Sequence, residues 1–299
     1  MSIAPTLPEI QKGTRISRRT LLQSGVVGAA ALALYASEVE RHWIEVVHTE
    51  IRLSGLPEAF HGLRVAQLSD IHMDEYTEEF FLRDAVARIN QLQPDVVLLT
   101  GDFVSGLPRG VKFATGAAWR CANLLTGLHC TRRYAVLGNH DMAVGAQAVI
   151  EALTANGITM LENAKVPLER DGARLWLAGV EDPLVGRPDP DLAVPASIRN
   201  VAGEPVILLC HAPDYVDFML RYAGGRAVDF VLSGHTHGGQ VRLPIIGAMQ
   251  LPMLGKKYVE GHFQFGKLQL YVNRGLGTVG IPFRFDCPPE ITLHTLLPA

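Results

Sequence analysis

Apolar positions recur along the chain in two rhythms. Residues 43–53 alternate apolar and polar side chains and read as a strand, and residues 63–68 alternate again before ending at Ser69-Asp70. Thr77, Glu78 and Glu79 mark a helix N-terminus, where acids suit the macrodipole. Phe81, Ala85, Ile89 and Leu92 follow at helical spacing until Pro94. Residues 95–100 are instead a continuous apolar run after Asp95, as in a strand buried on both faces. The same reading predicts a helix over 110–126, a strand over 134–137, and a helix over 145–156 closed by Gly157. An Asp171-Gly172 turn joins 164–169 to 174–180 as a hairpin. Strands over 206–209, 228–232, 258–265 and 268–272, with one helix over 213–222, complete the expectation. Early strand–helix alternation followed by hairpins predicts an α/β fold of two mixed sheets with helices outside.

The first forty residues follow neither rhythm. Residues 1–20 carry Lys12, Arg15, Arg18 and Arg19 against Glu9 alone, and residues 21–36 form an apolar run broken only by Gln23 and Ser24. A basic stretch before a short apolar one is the pattern of an export signal. Ser17-Arg18-Arg19-Thr20-Leu21-Leu22-Gln23 resembles the twin-arginine motif, with Leu and Gln where Phe and Lys are usual. Residues 1–41 are therefore expected to be a signal, or an anchor through 21–36, handled by the twin-arginine translocase. Residues 42–299 are expected to form one domain, periplasmic or on the outer face of the cytoplasmic membrane.

Composition narrows the function classes. The formal charge is −3, from 27 basic and 30 acidic residues. Taking away residues 1–36, with four basic and one acidic residue, leaves −6 on the remainder. A mildly acidic body argues against nucleic acid as a partner held by bulk electrostatics. Four widely spaced cysteines without a CxxC exclude a disulfide scaffold or a cysteine zinc site. The eleven histidines are the unusual count.

Each apolar strand runs into metal-competent residues. In chain order these are Asp70-Ile71-His72, Gly101-Asp102, Gly138-Asn139-His140-Asp141, His211, and Gly234-His235-Thr236-His237. Ligands of α/β sheets bind beyond strand carboxyl ends, so the five clusters are expected to converge on one crevice. Asp70/His72 and His235/His237, each pair with one residue between, are expected to share a side of an extended segment. A mixed oxygen and imidazole set of seven suits two ions sharing a carboxylate, with Zn, Mn or Fe favoured over Ca or Cu(I).

The ordered set D-x-H, GD, GNHD, H and GHTH resembles the calcineurin-like metallophosphoesterase superfamily across about residues 60–275. Leu68–His72, 238–244 (GGQVRLP) and 273–277 (NRGLG), with the export pattern, resemble its bacterial twin-arginine-exported, phosphodiesterase-like branch. The resemblance implies a four-layer α-β-β-α sandwich with a dinuclear metal site at the strand C-terminal ends. It implies Asp70, His72 and His237 on one metal, Asn139, His211 and His235 on the other, and Asp102 bridging. It also implies that His140 faces substrate, that Asp141 orients His140, and that Asn139 contacts substrate. Arg242 is a further candidate for substrate binding by its place in the sequence. The implied reaction is phosphodiester hydrolysis by a metal-bridging hydroxide, with two divalent ions (Mn, Zn or Fe) and a phosphate ester, lipid- or cell-wall-linked, as substrate.

Two other readings stay open at this point. One is a pyrophosphatase of a nucleotide-linked lipid such as UDP-2,3-diacylglucosamine, whose cytoplasmic origin conflicts with an export signal. The other is a non-catalytic cell-envelope binding protein, which predicts missing ligands where none is missing. Cys210 is expected to turn away from the site as a small core group. Phe103 and Leu107 are expected in core packing or at an apolar lip of the site.

Overall fold

The computed structural model describes residues 17–73, 76–106 and 111–299. Lys12, Arg15 and Leu107 lie outside the described residues. Helix α1 (Arg18–Leu34) is capped by the Ser17 hydroxyl, which accepts the Thr20 N–H at 3.0 Å, and none of its residues is buried. Strands β1 (Glu45–Leu53) and β2 (Arg64–Leu68) follow. Helix α2 (Glu79–Leu92) buries Phe81, Leu82, Ala85, Val86 and Ile89 on one face, and left-handed Gln93 ends it before Pro94. Then come β3 (Val96–Leu99), α3 (Val111–Leu125), β4 (Arg133–Ala135), α4 (Asn139–Ala155) and β5 (Thr159–Met160).

These strands form a six-stranded sheet that also takes in the last strand, in the order β1, C-terminal strand, β2, β3, β4, β5. The chain continues through β6 (Ala164–Arg170), β7 (Ala173–Gly179), β8 (Val206–Leu209) and β9 (Phe230–Ser233). A small hairpin of β10 (Arg242–Leu243) and β11 (Gly247–Ala248) precedes β12 (Gly261–Phe265), β13 (Leu268–Val272) and the closing β14 (Glu290–Pro298). The second sheet runs β12-β13-β9-β8-β7-β6.

Strand alternation makes the layers. In β2 and β3, Ala66, Leu68, Val97 and Leu99 pack with α2, α3 and α4, whereas Val65, Val96 and Leu98 face the other sheet. In β8, Ile207 and Leu209 face that same interior, and Val206 and Leu208, with Cys210 just past the strand, pack outward on the short helical turns. The result is the four-layer α-β-β-α sandwich of two mixed sheets, with β3, β8, β9 and β13 buried along their whole length and the edge strands β1, β6 and β12 open to solvent on one side.

Local departures from the sequence expectation have physical reasons. Helix α4 starts at Asn139 rather than 145, because Asp141 accepts the Gly138 N–H at 3.0 Å and nucleates a polar first turn that apolar periodicity does not register. Gly145, at φ 120°, kinks the helix where that periodicity begins. The expected helix over 213–222 is broken into Pro213–Tyr215, Val216–Met219 and Ala223–Arg226. Strand β12 starts at Gly261, three residues later than expected. The closing strand β14 was not expected at all. It pairs in parallel with β1 and antiparallel with β2, and its buried polar Glu290, Thr292 and His294 are bonded to Tyr271, Asn273 and Gln67 from outside the strand.

Candidate metal centre

The ends of β2, β3, β8 and β9 deliver the site. Past β2 and β3 the two chain segments stay side by side, with the Asp70 N–H donating to the Gly101 carbonyl at 2.9 Å and the His72 N–H to that of Asp102 at 3.0 Å. Asp70 (φ 51°), His72 (48°), Asp102 (55°), His235 (71°) and His237 (50°) all sit in the left-handed region. The D-x-H and HxH pairs are therefore not extended, as their spacing had suggested. Left-handed turns aim both members inward instead, at a cost of order 1–3 kcal/mol per residue that the surrounding packing must offset. Neighbouring backbones close around these residues at glycines. A Cβ on Gly138 would collide with the Asp102 carboxylate, and one on Gly234 with Ser69 and Asp70.

Two triads result, both buried. In the first, Asp70 Oδ1 lies 3.4 Å from His237 Nε2 and 3.9 Å from His72 Nε2, and the two imidazole nitrogens are 3.1 Å apart. In the second, His211 Nε2 lies 3.2 Å from Asp102 Oδ2 and 3.2 Å from His235 Nδ1. Asp102 Oδ2 is also 3.5 Å from His72 Nε2, so one carboxylate oxygen reaches both triads. Asn139 Oδ1 is buried and accepts no hydrogen bond, and it lines the same cleft as Asp102, His235 and His237. A buried carbonyl oxygen without a donor fits a cation.

In the second triad the ring nitrogens turned away from this convergence are held by the backbone, whereas in the first His72 Nδ1 meets the Ser105 hydroxyl at 3.2 Å. His211 Nδ1–H donates to the Thr100 carbonyl at 2.7 Å and His235 Nε2–H to that of Met253 at 2.8 Å. These bonds fix His211 Nε2 and His235 Nδ1 as the atoms left for a ligand. Asp70 ties the two sheets together by accepting the His235 N–H at 2.9 Å.

Burial shapes the charges. It pushes the Asp70 carboxyl up to about 6, and pulls His72 down to about 3, His235 to about 4 and His237 well below its usual value. Burial also acts upward on Asp102, but His211, His140 and His72 outweigh it and hold that carboxyl well below the usual range. On His211 burial acts downward, and Asp102 outweighs it, raising the imidazole well above its usual value. Burial thus favours the neutral form of three imidazoles, while Asp102 and His211 each favour the other's charged form, the pairing of donors that metal binding requires to be deprotonated.

The remaining sequence candidates separate here. His140 lines the cleft, and its Nδ1 accepts the Gly106 N–H at 2.8 Å. The expected Asp141–His140 hydrogen bond is replaced. Asp141 spends its oxygens on the Phe103, Val104 and Gly138 N–H groups, bracing the segment that carries Asp102. Arg242 donates to Glu260 and to the Gly238 carbonyl, both at 2.6 Å, so its guanidinium is committed beside the cleft rather than within it. Phe103 is core, and Cys210 packs away from its neighbour His211 as alternation required.

Sequence reasoning missed Arg284. Fully buried, it donates to the carbonyls of Arg274, Gly275, Gly277 and Cys287 at 2.7–3.1 Å. That bundle holds the 273–277 loop, whose Leu276 and Gly277 N–H groups bond the Ser69 and Asp70 carbonyls. A lone cation inside the apolar run 279–285 was the available signal.

Comparison with known proteins agrees with this geometry. The calcineurin-like phosphoesterase family model matches residues 63–239. The uncharacterized metallophosphoesterase YkuE of Bacillus subtilis (strain 168) is 35% identical over 293 residues, covering 94% of this chain and 98% of that protein. Phosphodiesterase YaeI of Escherichia coli (strain K12) is 30% identical over 288 residues, covering 94% of this chain and all of the other. The UDP-2,3-diacylglucosamine pyrophosphatase LpxG of Chlamydia muridarum is 26% identical over 337 aligned positions, covering 93% and 97%.

Proposed function

The chain belongs to the calcineurin-like phosphoesterase family and is a metal-dependent phosphoester hydrolase; from that premise we propose that it cleaves phosphodiesters at a dinuclear centre facing the outside of a membrane. Asp70, His72 and His237 would hold one ion and Asn139, His211 and His235 the other, with the Asp102 carboxylate available to both. The observation that carries this reading is the single Asp102 oxygen within 3.5 Å of His72 and 3.2 Å of His211. A divalent pair supplies charge neutralisation at phosphorus and lowers the pKa of water, with Mn, Zn and Fe all compatible with these donors.

The chain's own groups do the rest. Asn139 and His140 meet the substrate in a cleft of about 280 Å³ that they line together. With His140 Nδ1 accepting the Gly106 N–H, the neutral ring carries its proton at Nε2, free to donate to a phosphoryl or departing oxygen. Among the described residues, those lining the cleft include no serine or cysteine, so water would be the nucleophile.

Residues 1–41 act as export signal or anchor, delivered by the twin-arginine translocase. The continuous helical run Arg18–His42 is long and apolar enough to cross a membrane. A reporter active only after twin-arginine export, fused to residues 1–40, tests this; cytoplasmic retention would favour a nucleotide-linked lipid pyrophosphate as substrate. The decisive experiment is hydrolysis of mono- and diesters and of UDP-2,3-diacylglucosamine by protein reconstituted with Mn, Zn or Fe. Diester turnover above monoester turnover is expected. Turnover of the pyrophosphate alone would replace the diesterase reading, and no turnover with any metal would end it.

A further inference from the structure

Between Gln240 and Lys256 the chain carries one ionisable side chain, Arg242, in fifteen residues otherwise rich in Leu, Ile, Met and Pro. That guanidinium is already engaged by Glu260. The β10–β11 hairpin forms here, and its tip turns apolar groups outward. Ile245 is 108% exposed and sits at φ 72°, a conformation that a β-branched side chain disfavours. Ile246, Met249 and Met253, with Ile281 from the adjoining loop, are each half or more exposed. Exposed large apolar residues scattered singly need no explanation, but these five cluster on one rim. Met249 and Ile281 also line the cleft beside His235 and His237, and the Met253 carbonyl holds His235. Met249 and Ile281 thus join the exposed tip to the wall of the cleft, which Ile245 and Ile246 themselves do not line.

The same rim is wired to the end of α1. Arg242 and Gln240 exchange backbone hydrogen bonds with Phe285 at 2.9 and 3.0 Å, and the Arg284 N–H donates to the Ala36 carbonyl at 3.0 Å. Helix α1 offers Leu21, Leu22, Val26, Val27 and Leu34 to its surroundings, and exposed Tyr35 and Trp43 follow at its exit. Aromatic residues after an apolar helix mark a membrane–water interface. Two unburied apolar surfaces joined by a short hydrogen-bonded path have one environment that covers both.

We propose that the 244–253 rim and Ile281 seat in the interfacial layer of the bilayer that α1 enters, so that the cleft opens onto the membrane and takes a phosphodiester borne on a lipid. The substrate class rests on the phosphodiesterase reading above; the seating does not. In the reaction a water oxygen bonds to phosphorus, one ester P–O bond breaks, and the departing alkoxide takes a proton, so no further reactant is needed.

Seating is tested on the full chain with an environment-sensitive fluorophore on Ile246→Cys in a Cys130→Ser background. Cys121, Cys210 and Cys287 are buried and do not label. The fluorophore should shift to the blue and be quenched by vesicles of phosphatidylcholine and phosphatidylglycerol brominated in the acyl chains. The same label on Asp171→Cys, in the β6–β7 turn, should stay water-like. A water-like label at 246 on vesicle-bound protein overturns the seating, as does failure to bind vesicles. With the double variant Ile245→Ser/Ile246→Ser, turnover of vesicle-borne phosphatidylglycerol should fall about tenfold while a soluble aryl diester is cleaved as before, since interfacial binding scales with buried apolar area. Equal turnover of the vesicle-borne ester by both proteins overturns the role of the rim. Loss of soluble diester turnover in the unmodified protein would sink the diesterase reading and leave the labelling result standing.

Discussion

Five left-handed residues and one shared oxygen set the chemistry at the scale of single side chains. His140 and Asp102 differ in what they hold, and substitution separates them. His140→Ala removes a donor at the cleft without removing a ligand, so kcat should fall about 10²–10⁴-fold, as for loss of a general acid, while metal content stays at the level of the unmodified protein. Metal analysis beside steady-state kinetics checks this, and metal lost in step with activity would make His140 a ligand. Asp102→Asn should instead lower metal content and activity together. Away from the site, His294 is buried between Phe230 and Tyr271 and bonded to Gln67 and Thr49. Burial holds it down at about 3. Below about pH 6.5 the unfolded chain binds a proton that the folded chain refuses, so stability is lost as pH falls. Between pH 7 and 5 this group should cost about 2 kcal/mol, and His294→Gln should lack that part of the slope in urea titrations. Identical slopes would remove His294 from the account.

Single elements matter through what they brace. The 273–277 loop lies against Asp70 and His72, and Arg284 gathers its carbonyls. Arg284→Met leaves four acceptors without that donor, and metal affinity should fall about 10–100-fold, the usual effect of losing an outer support. A protein that refolds with unchanged metal affinity would make Arg284 purely structural; partial recovery with Arg284→Lys would mark it as a positioning residue. Strand β14 shows a related limit on reading elements from sequence. Its Glu290 bonds Tyr271, Asn273 and Arg274. A strand with such a polar face buried resembles a surface strand until its partners are known. Apolar periodicity starts helix α4 six residues late for the converse reason, since its first turn is made by side-chain and backbone polar bonds.

At the scale of the whole molecule, the helix and the sandwich meet at a short seam. Helix α1 buries nothing, but Ala36, Glu40 and Arg41 behind it are buried. Glu40 accepts the Cys287 N–H at 2.6 Å, and Arg41 pairs with Glu78 at 2.8 Å. Deleting residues 1–34 should leave the melting temperature of the domain nearly unchanged. Deleting through Arg41 removes a buried charged acceptor and a part-buried pair, and should lower it by several degrees, the effect of about 1–3 kcal/mol. Calorimetry of the two truncations decides whether the domain begins before or after that seam.

The sequence by itself determined which strands run into the site, the order of the candidate ligands and the two-sheet architecture. Those features are written in local alternation and in short motifs whose residues must be neighbours. It also singled out the apolar leader. Only the tertiary structure decided that Asp102 reaches both triads, that Asp141 serves the backbone rather than His140, and that Arg242 is already paired. Distances between separate strand ends and the competition for a side chain's hydrogen bonds are not properties of any one segment. The outward face of the 244–253 hairpin is of the same kind: an apolar run reads as core until the fold shows which side of it remains open.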